Sequence, residues 1–407
     1  MLKLIRRLFF LSSLLLIAGG VWAFNNGMTA DNYQEFITDI IEKYQPAEPI
    51  AELEEKNAVE QKKKSPSSKP KKKAQKAQEQ KLLPLPKNPF ATIDKYARNA
   101  TSTDEIDVPT LANYLQQKAQ TDLEKARAIY VWIAENIRYD DESFNSKNYP
   151  LYTPQYLLEN RKAVCEGYSN LYLALGLEMG LDIEKIIGYS KGYGYQEGTK
   201  FTETSHAWNI IKINGEWKVF DATWGRGFGE NVGGKLKSIK KFNDYWFNVS
   251  QYEAIFNHYP ESEEFHFVKP AISLSQYERM PTIDGDYFAL GFDGKEAFLE
   301  ANSNPNYQTP QIYSLNTHVR VIEAPKVKHL SLNQAYDFEF HVPRADKVAM
   351  IDAQGNWTYF QRDNGIFSLT YTPTEEGKLQ ISIHHDTDTK SFDTVLAYEV
   401  KENGEVL

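Results

Sequence analysis

The pair Asn214-Gly215 constrains this chain more than any other two residues. It separates an apolar run at 207–213 from a second run at 216–221. Asn-Gly between two such runs specifies a two-residue β-hairpin. Folding the chain there pairs Ile213 with Glu216 and, further out, Trp208 with Asp221. His206 then falls opposite Thr223, diagonal to Asp221 on the same face of the ribbon. Same-face diagonal neighbours lie about 7–8 Å apart at the backbone, within reach of an imidazole–carboxylate hydrogen bond. Trp208, Ile210, Trp217 and Val219 share that face, as a buried face requires. A slip of one residue would send the histidine and the aspartate to opposite sides.

Upstream stands Cys165, the only cysteine, which therefore has no internal disulfide partner. Tyr168, Leu171, Tyr172, Leu175 and Met179 follow it at helical spacing, and Gly180 ends the pattern. Cys165 is thus predicted in the first turn of a helix, where free N–H groups and the positive end of the dipole favour a thiolate. Nucleophilic thiol chemistry needs a thiolate, a base and a group that orients the base. Each member has an ordinary explanation when taken singly: a buried thiol, a strand histidine, a turn-forming aspartate. The helix start and the His–Asp register together point to a triad.

Three segments carry a family resemblance: Cys165-Glu166-Gly167-Tyr168, His206-Ala207-Trp208-Asn209 and Asp221-Ala222-Thr223-Trp224. They resemble the core motifs of the transglutaminase-like superfamily. Asp244-Tyr245-Trp246-Phe247, Phe256-Asn257-His258-Tyr259-Pro260 and Phe265-His266-Phe267 resemble its kyphoscoliosis-peptidase and cytokinesis-protein branch. Ala163 departs from the pattern, since many members have glycine before Val-Cys. The resemblance implies an α+β, papain-like core with Cys165, His206 and Asp221 as catalytic residues. The expected mechanism has Cys165 attacking an amide carbonyl while its backbone N–H and an upstream donor hold the oxyanion, with Tyr139 the candidate. Tyr139, Trp208, Trp224 and Tyr193 are the expected substrate-cleft residues. The capping box Thr121-Asp122-Leu123-Glu124 and the stripe Leu123, Ala126, Tyr130, Ile133 and Ile137 predict the helix that precedes the nucleophile segment. A glycine/tyrosine-rich loop at 188–195 reads equally as a cleft border or a surface turn.

The ends of the chain differ from this middle. Lys3, Arg6 and Arg7 precede an apolar run at 8–17 and small residues up to Ala23, the pattern of a secretory signal. The alternative is an uncleaved anchor that attaches residues 8–24 to a membrane. On either reading the body is expected to be exported, periplasmic or extracytoplasmic, with inner-membrane anchoring as the second case. A short helix at 33–44 leads into a Lys- and Pro-rich stretch at 45–87, too poor in apolar residues to order itself. Beyond about residue 305 strands alternate, with Tyr336, Phe338, Phe340 and Val342 opposed to Asp337, Glu339 and His341. The predicted organisation is therefore a signal or anchor (1–24), helix and spacer (25–88), a transglutaminase-like domain (89–300) and a C-terminal immunoglobulin-like β-sandwich (305–407).

The functional expectation is an exported thiol-dependent acyl-transfer enzyme acting on peptide or protein amides, cell-envelope proteins among them. Hydrolysis is favoured over cross-linking; the alternative is a non-catalytic envelope scaffold. A net charge of −9, with basic residues concentrated near the N-terminus, makes nucleic acid an unsuitable partner. No cofactor or metal is expected: the tail histidines lack ligand spacing, and no calcium-loop pattern occurs.

Overall fold

The structure, a computed structural model, describes residues 88–313, 319–343, 345–385 and 391–403. The expected signal or anchor, the short helix at 33–44, the spacer at 45–87 and His318 lie outside these residues. All described residues belong to one compact unit.

Three helices open it: α1 (Ala91–Arg98), α2 (Val108–Gln116) and α3 (Asp122–Asn136). The capping box at Thr121 and Glu124 forms with both of its hydrogen bonds. Every residue from Ala126 to Ala134 in α3 is buried, so this helix is wrapped on all sides rather than along one stripe. Next come β1 (Arg138–Tyr139), α4 (Asp141–Ser146), α5 (Pro154–Asn160), β2 (Lys162–Ala163) and α6 (Cys165–Glu178). β1 and β2 pair in parallel, which sets Tyr139 against Ala163, two residues before Cys165. Helix α6 packs on α3, where the Tyr172 hydroxyl donates to Ala126 O at 2.7 Å. Gly180, at φ +75°, ends its chain direction as a left-handed residue.

β3 (Ile183–Ser190), β4 (His206–Ile213) and β5 (Glu216–Phe220) follow. The hairpin has the derived register, Ile213 with Glu216 through Asn209 with Phe220. Asn214 and Gly215 both have positive φ, 52° and 86°, as a type I′ turn requires. Then come α7 (Ala222–Arg226), the hairpin β6 (Gly227–Val232) and β7 (Lys235–Lys240), α8 (Gln251–Ala254) and β8 (His258–Pro260). β8 completes an antiparallel sheet of order β5-β4-β3-β8.

The chain continues through α9 (Leu274–Arg279), α10 (Gly285–Ala289) and α11 (Gly294–Ser303) into strands β9 (Gln311–Ile312), β10 (Arg320–Glu323), β11 (His329–Ser331), β12 (Tyr336–His341), β13 (Ala345–Ile351), β14 (Trp357–Tyr359), β15 (Gln361–Asp363), β16 (Ile366–Tyr371), β17 (Gly377–His385) and β18 (Asp393–Lys401). One sheet has the order β10-β12-β16-β15; the other runs β11-β18-β17-β13-β14, with β9 added on β18. The mixed helix-and-strand class is as expected, and the C-terminal sheets are compatible with a sandwich. Alternation fails at one expected place: His341 is buried rather than facing out.

Two buried clusters underlie this layout. One runs from Ile93 to Ala254 and backs the site described below. The other runs from Ile255 to Val400 and joins Tyr277, Tyr287 and Phe298 of helices α9 to α11 to the C-terminal sheets. The sequence-drawn boundary at 300–305 falls inside this second cluster.

Candidate active site

Four elements begin at one place. Cys165 is the first residue of α6, His206 of β4 and His258 of β8, while Asp221 is the N-cap of α7. Val164 caps α6 in extended conformation without a side-chain bond; the Gly167 N–H turns back to Val164 O at 2.9 Å, while the Cys165 and Glu166 N–H groups at the helix start have no intrahelical acceptor. Gly167 lets this start lie close to its surroundings: a Cβ there would be 2.5 Å from Ala163 Cβ and 3.0 Å from Tyr152 Cβ. With alanine rather than glycine at 163, residue 167 has no room for a side chain.

Asp221 is 1% exposed. The His206 Nε2–H donates to its Oδ2 at 2.6 Å, and the His258 Nε2–H donates to the same oxygen at 3.0 Å. A carboxylate only accepts, so both imidazoles carry their proton on Nε2. Oδ1 accepts from the backbone N–H groups of Thr223 and Trp224, at 2.9 and 3.0 Å. Burial alone would raise the Asp221 pKa, but the charge and hydrogen bond of His206 and the bond from His258 hold it well below the usual carboxylate range. Burial alone would likewise lower His206. The charge and hydrogen bond of Asp221, followed by the hydrogen bond and charge of Cys165, outweigh it and raise His206 to about 10. Because Nε2 belongs to Asp221, Nδ1 is the nitrogen left to meet Cys165. His258 moves the other way, its pKa lowered by burial, with the charge of His206 acting in the same direction.

Cys165 is half-buried and opens onto a cleft of about 1400 Å³ that also includes His206. Of the expected cleft residues, Tyr139, Tyr193 and Trp224 line it. Trp208 does not. It is 2% exposed and stacks behind the His206 imidazole at 5.9 Å, because it lies two residues further along the same face of β4, where that face is covered by the core. Burial, and after it the charge of Cys165, pushes Tyr139 well above the usual phenol range, so its hydroxyl stays protonated and able to donate. The glycine/tyrosine loop borders the cleft through Lys191, Gly192 and Tyr193. A Cβ on Gly192 would stand 2.7 Å from Trp224 Cζ2, so glycine lets the loop lie against that ring.

Two residues of this region escaped the sequence reading. His258 lay in a segment quoted for its resemblance, but 37 residues separate it from Asp221 and no hairpin register connects them. Lys191 is 5% exposed; its ammonium donates to Met280 O at 2.5 Å and faces the Tyr277 ring at 4.4 Å. Burial lowers its pKa to about 7.

His206, Asp221 and His258 bring their ligand-type atoms within 4.8 Å of one another. Both Nε2 atoms already bond one carboxylate oxygen at 2.6 and 3.0 Å. A zinc ion would need metal–nitrogen distances of about 2.0–2.1 Å on lone pairs that these protons occupy. The geometry is that of a hydrogen-bond cluster.

Comparison with known proteins agrees with this arrangement. Residues 109–222 match the sequence model of the transglutaminase-like superfamily, so the chain carries a domain of that superfamily. The curated proteins it is similar to include kyphoscoliosis peptidase, hillarin and cytokinesis protein 3. Human kyphoscoliosis peptidase is 32% identical over 212 residues, covering 52% of this chain and 32% of that protein. The mouse protein of the same name is 26% identical over 324 residues, 79% of this chain and 44% of its own length. The chain thus spans less than half the length of the curated relatives it matches. A solved structure from Cytophaga hutchinsonii, provisionally described as a cysteine protease, is 23% identical and covers 37% of this chain and 46% of its own, with a TM-score of 0.23, too slight an overlap to argue from.

These relatives correct the expected location. The curated matches come from human, mouse, fruit fly, nematode and fission yeast, eukaryotes in every case, which overturns the exported, periplasmic placing. Among the described residues no helix is long and apolar enough to cross a membrane. The charge pattern at 1–24 that suggested export lies outside them.

Proposed function

We propose that this chain is a thiol-dependent acyl-transfer enzyme that hydrolyses peptide or protein amides through Cys165, His206 and Asp221. The observation that carries the reading is a half-buried thiol at a helix start, in the wall of a cleft, with a histidine whose far nitrogen is held by a buried aspartate. In the first half-reaction the Cys165 thiolate forms a C–S bond to the amide carbonyl. The oxyanion is held by the Cys165 N–H, with Tyr139 as the second donor. His206 gives its Nδ1 proton to the leaving amine as the C–N bond breaks, which leaves a thioester. Water then attacks the thioester and passes a proton to His206; the C–S bond breaks and the thiolate returns. Asp221 holds the imidazole with Nδ1 toward the sulfur throughout. A cleft of about 1400 Å³ gives water room to reach the acyl carbon.

The test is incubation with a proteome-derived peptide library containing methylamine, read by mass spectrometry beside Cys165→Ala. New carboxyl termini that depend on Cys165 are expected. Methylamide products instead would make it a transamidase, and no product of either kind would favour a binding scaffold. For the C-terminal sheets the proposed class is an immunoglobulin-like sandwich acting as an interaction or packing module, supported by the parallel pairing of β11 with the last strand, β18.

A further inference from the structure

Asp221 is shared, and the second sharer has no place in the mechanism above. His258 is 2% exposed and sits two strands from His206 across β3. Its Nε2–H reaches Oδ2 of Asp221, and its other nitrogen, Nδ1, is buried with no hydrogen-bond partner among the described residues. The charged or titratable groups that face it are Asp221 and His206; the remaining close neighbours are the rings of Trp208, Trp224 and Trp246, at 4.9, 4.5 and 4.8 Å. Among the described residues no acceptor awaits a proton on Nδ1. A second proton there would bury an unpaired N–H and place two cationic imidazoles 5.3 Å apart. Asp221 therefore receives a hydrogen bond from His258 without being neutralised by it.

We infer that His258 is a positioning residue of the site: as a neutral donor it shares Asp221 Oδ2 with His206 and so limits how tightly His206 keeps its proton. An unshared, fully buried carboxylate would concentrate its charge on the His206 N–H and hold the imidazolium too firmly for it to protonate a leaving amine. A donor that is itself charged would remove the support that the imidazolium needs. A neutral imidazole with one unusable nitrogen meets both requirements. This inference rests on the reading of Cys165, His206 and Asp221 as a thiol triad, and its test separates the two.

The test is ¹⁵N NMR of histidine-labelled full-length protein, titrated with pH, for wild type, His258→Phe, His258→Gln and Cys165→Ala. Phenylalanine keeps the ring volume and removes the donor, while glutamine restores an N–H near the Nε2 position. In wild type, His258 should show the neutral Nε2–H pattern at every pH where the protein is folded. In His258→Phe, His206 should titrate at a pH higher by roughly one unit, the scale of one charged hydrogen bond. In His258→Gln it should titrate as in wild type. A His258 that gains a proton while the protein stays folded, or a His206 that titrates alike in the Phe variant and wild type, would overturn the inference. The wild-type measurement decides the first point even if a variant does not fold. Cys165→Ala reports on the triad itself: losing the thiolate should lower the His206 titration. No change there would sink the triad, while the sharing of Asp221 would still be read from His258→Phe.

Discussion

The chain contains the same chemical pair in two settings. In the first, His206 and Asp221 have side chains 6% and 0% exposed. In the second, His384 Nδ1 bonds Asp346 on the β13–β17 pair of the C-terminal sheet, with side chains 17% and 33% exposed. The outer pair is reached by water, so its charge is screened, and pairs of that kind are worth about 0–1 kcal/mol. The inner carboxylate is fixed by four donors, and it faces a histidine whose other nitrogen is turned to a thiol. A histidine and a carboxylate become a candidate site through what surrounds them: exclusion of water, saturation of the carboxylate, and a third group for the imidazole to act on.

The largest contrast is expected in thiol reactivity. Asp221→Asn should slow iodoacetamide alkylation of Cys165 by more than tenfold, though by less than the roughly 10⁴-fold loss that the same change causes in a serine triad. A cysteine–histidine ion pair depends less on its third member. Asp346→Asn should leave alkylation unchanged and alter stability by no more than about 1 kcal/mol. Equal rates in the two variants would erase the distinction between the pairs.

A second contrast lies in packing. Gly167→Ala drives a methyl to 2.5 Å from Ala163 Cβ, so denaturant melts should show a loss of about 1–3 kcal/mol together with slower alkylation. At Gly355, in a C-terminal turn, nothing lies within 4 Å and only the φ of +82° resists. Gly355→Ala should cost about 1–2 kcal/mol and leave Cys165 reactivity alone.

A third contrast lies in the pH dependence of stability. The folded state raises His206 from 6.5 to about 10, so its contribution is whole below about pH 6.5 and is lost as the pH climbs toward 10. His258, lowered on folding, has the opposite sign: its contribution is lost as the pH falls below 6.5. Thermal melts between about pH 7 and pH 10 should therefore decline more steeply in wild type than in His206→Gln, whereas Asp346→Asn should keep the wild-type slope. A shared slope for wild type and His206→Gln would contradict the inner pair's electrostatics.

The site was legible in the sequence as far as local geometry reaches. Asn214-Gly215 set a register that put His206 and Asp221 on one face, and the pairing of Ile213 with Glu216 bears it out. The apolar spacing after Cys165 marked a helix that does begin there. What stayed hidden depends on long-range placement. Asp221 leaves its strand to cap α7, so its second oxygen binds backbone that no strand register describes. His258 joins through β8, a three-residue strand too short to show alternation. Trp208 was correctly put on the same face as His206, but two residues further along β4 that face is covered by the core and not open to the cleft. Helices α9 to α11 share a core with the C-terminal sheets because Tyr277, Tyr287 and Phe298 pack into it, a contact that composition alone could not assign.

The central claim, that Cys165 works with His206, is tested most directly by the rate of Cys165 alkylation as a function of pH in wild type and His206→Ala, with melts to show that both are folded. A thiolate–imidazolium pair should make wild type react many times faster than His206→Ala at about pH 6, with the two rates converging as alkali ionises the unassisted thiol. Superimposable profiles across the whole range would mean that the thiol and the imidazole are uncoupled, and the acyl-transfer reading would fall with them.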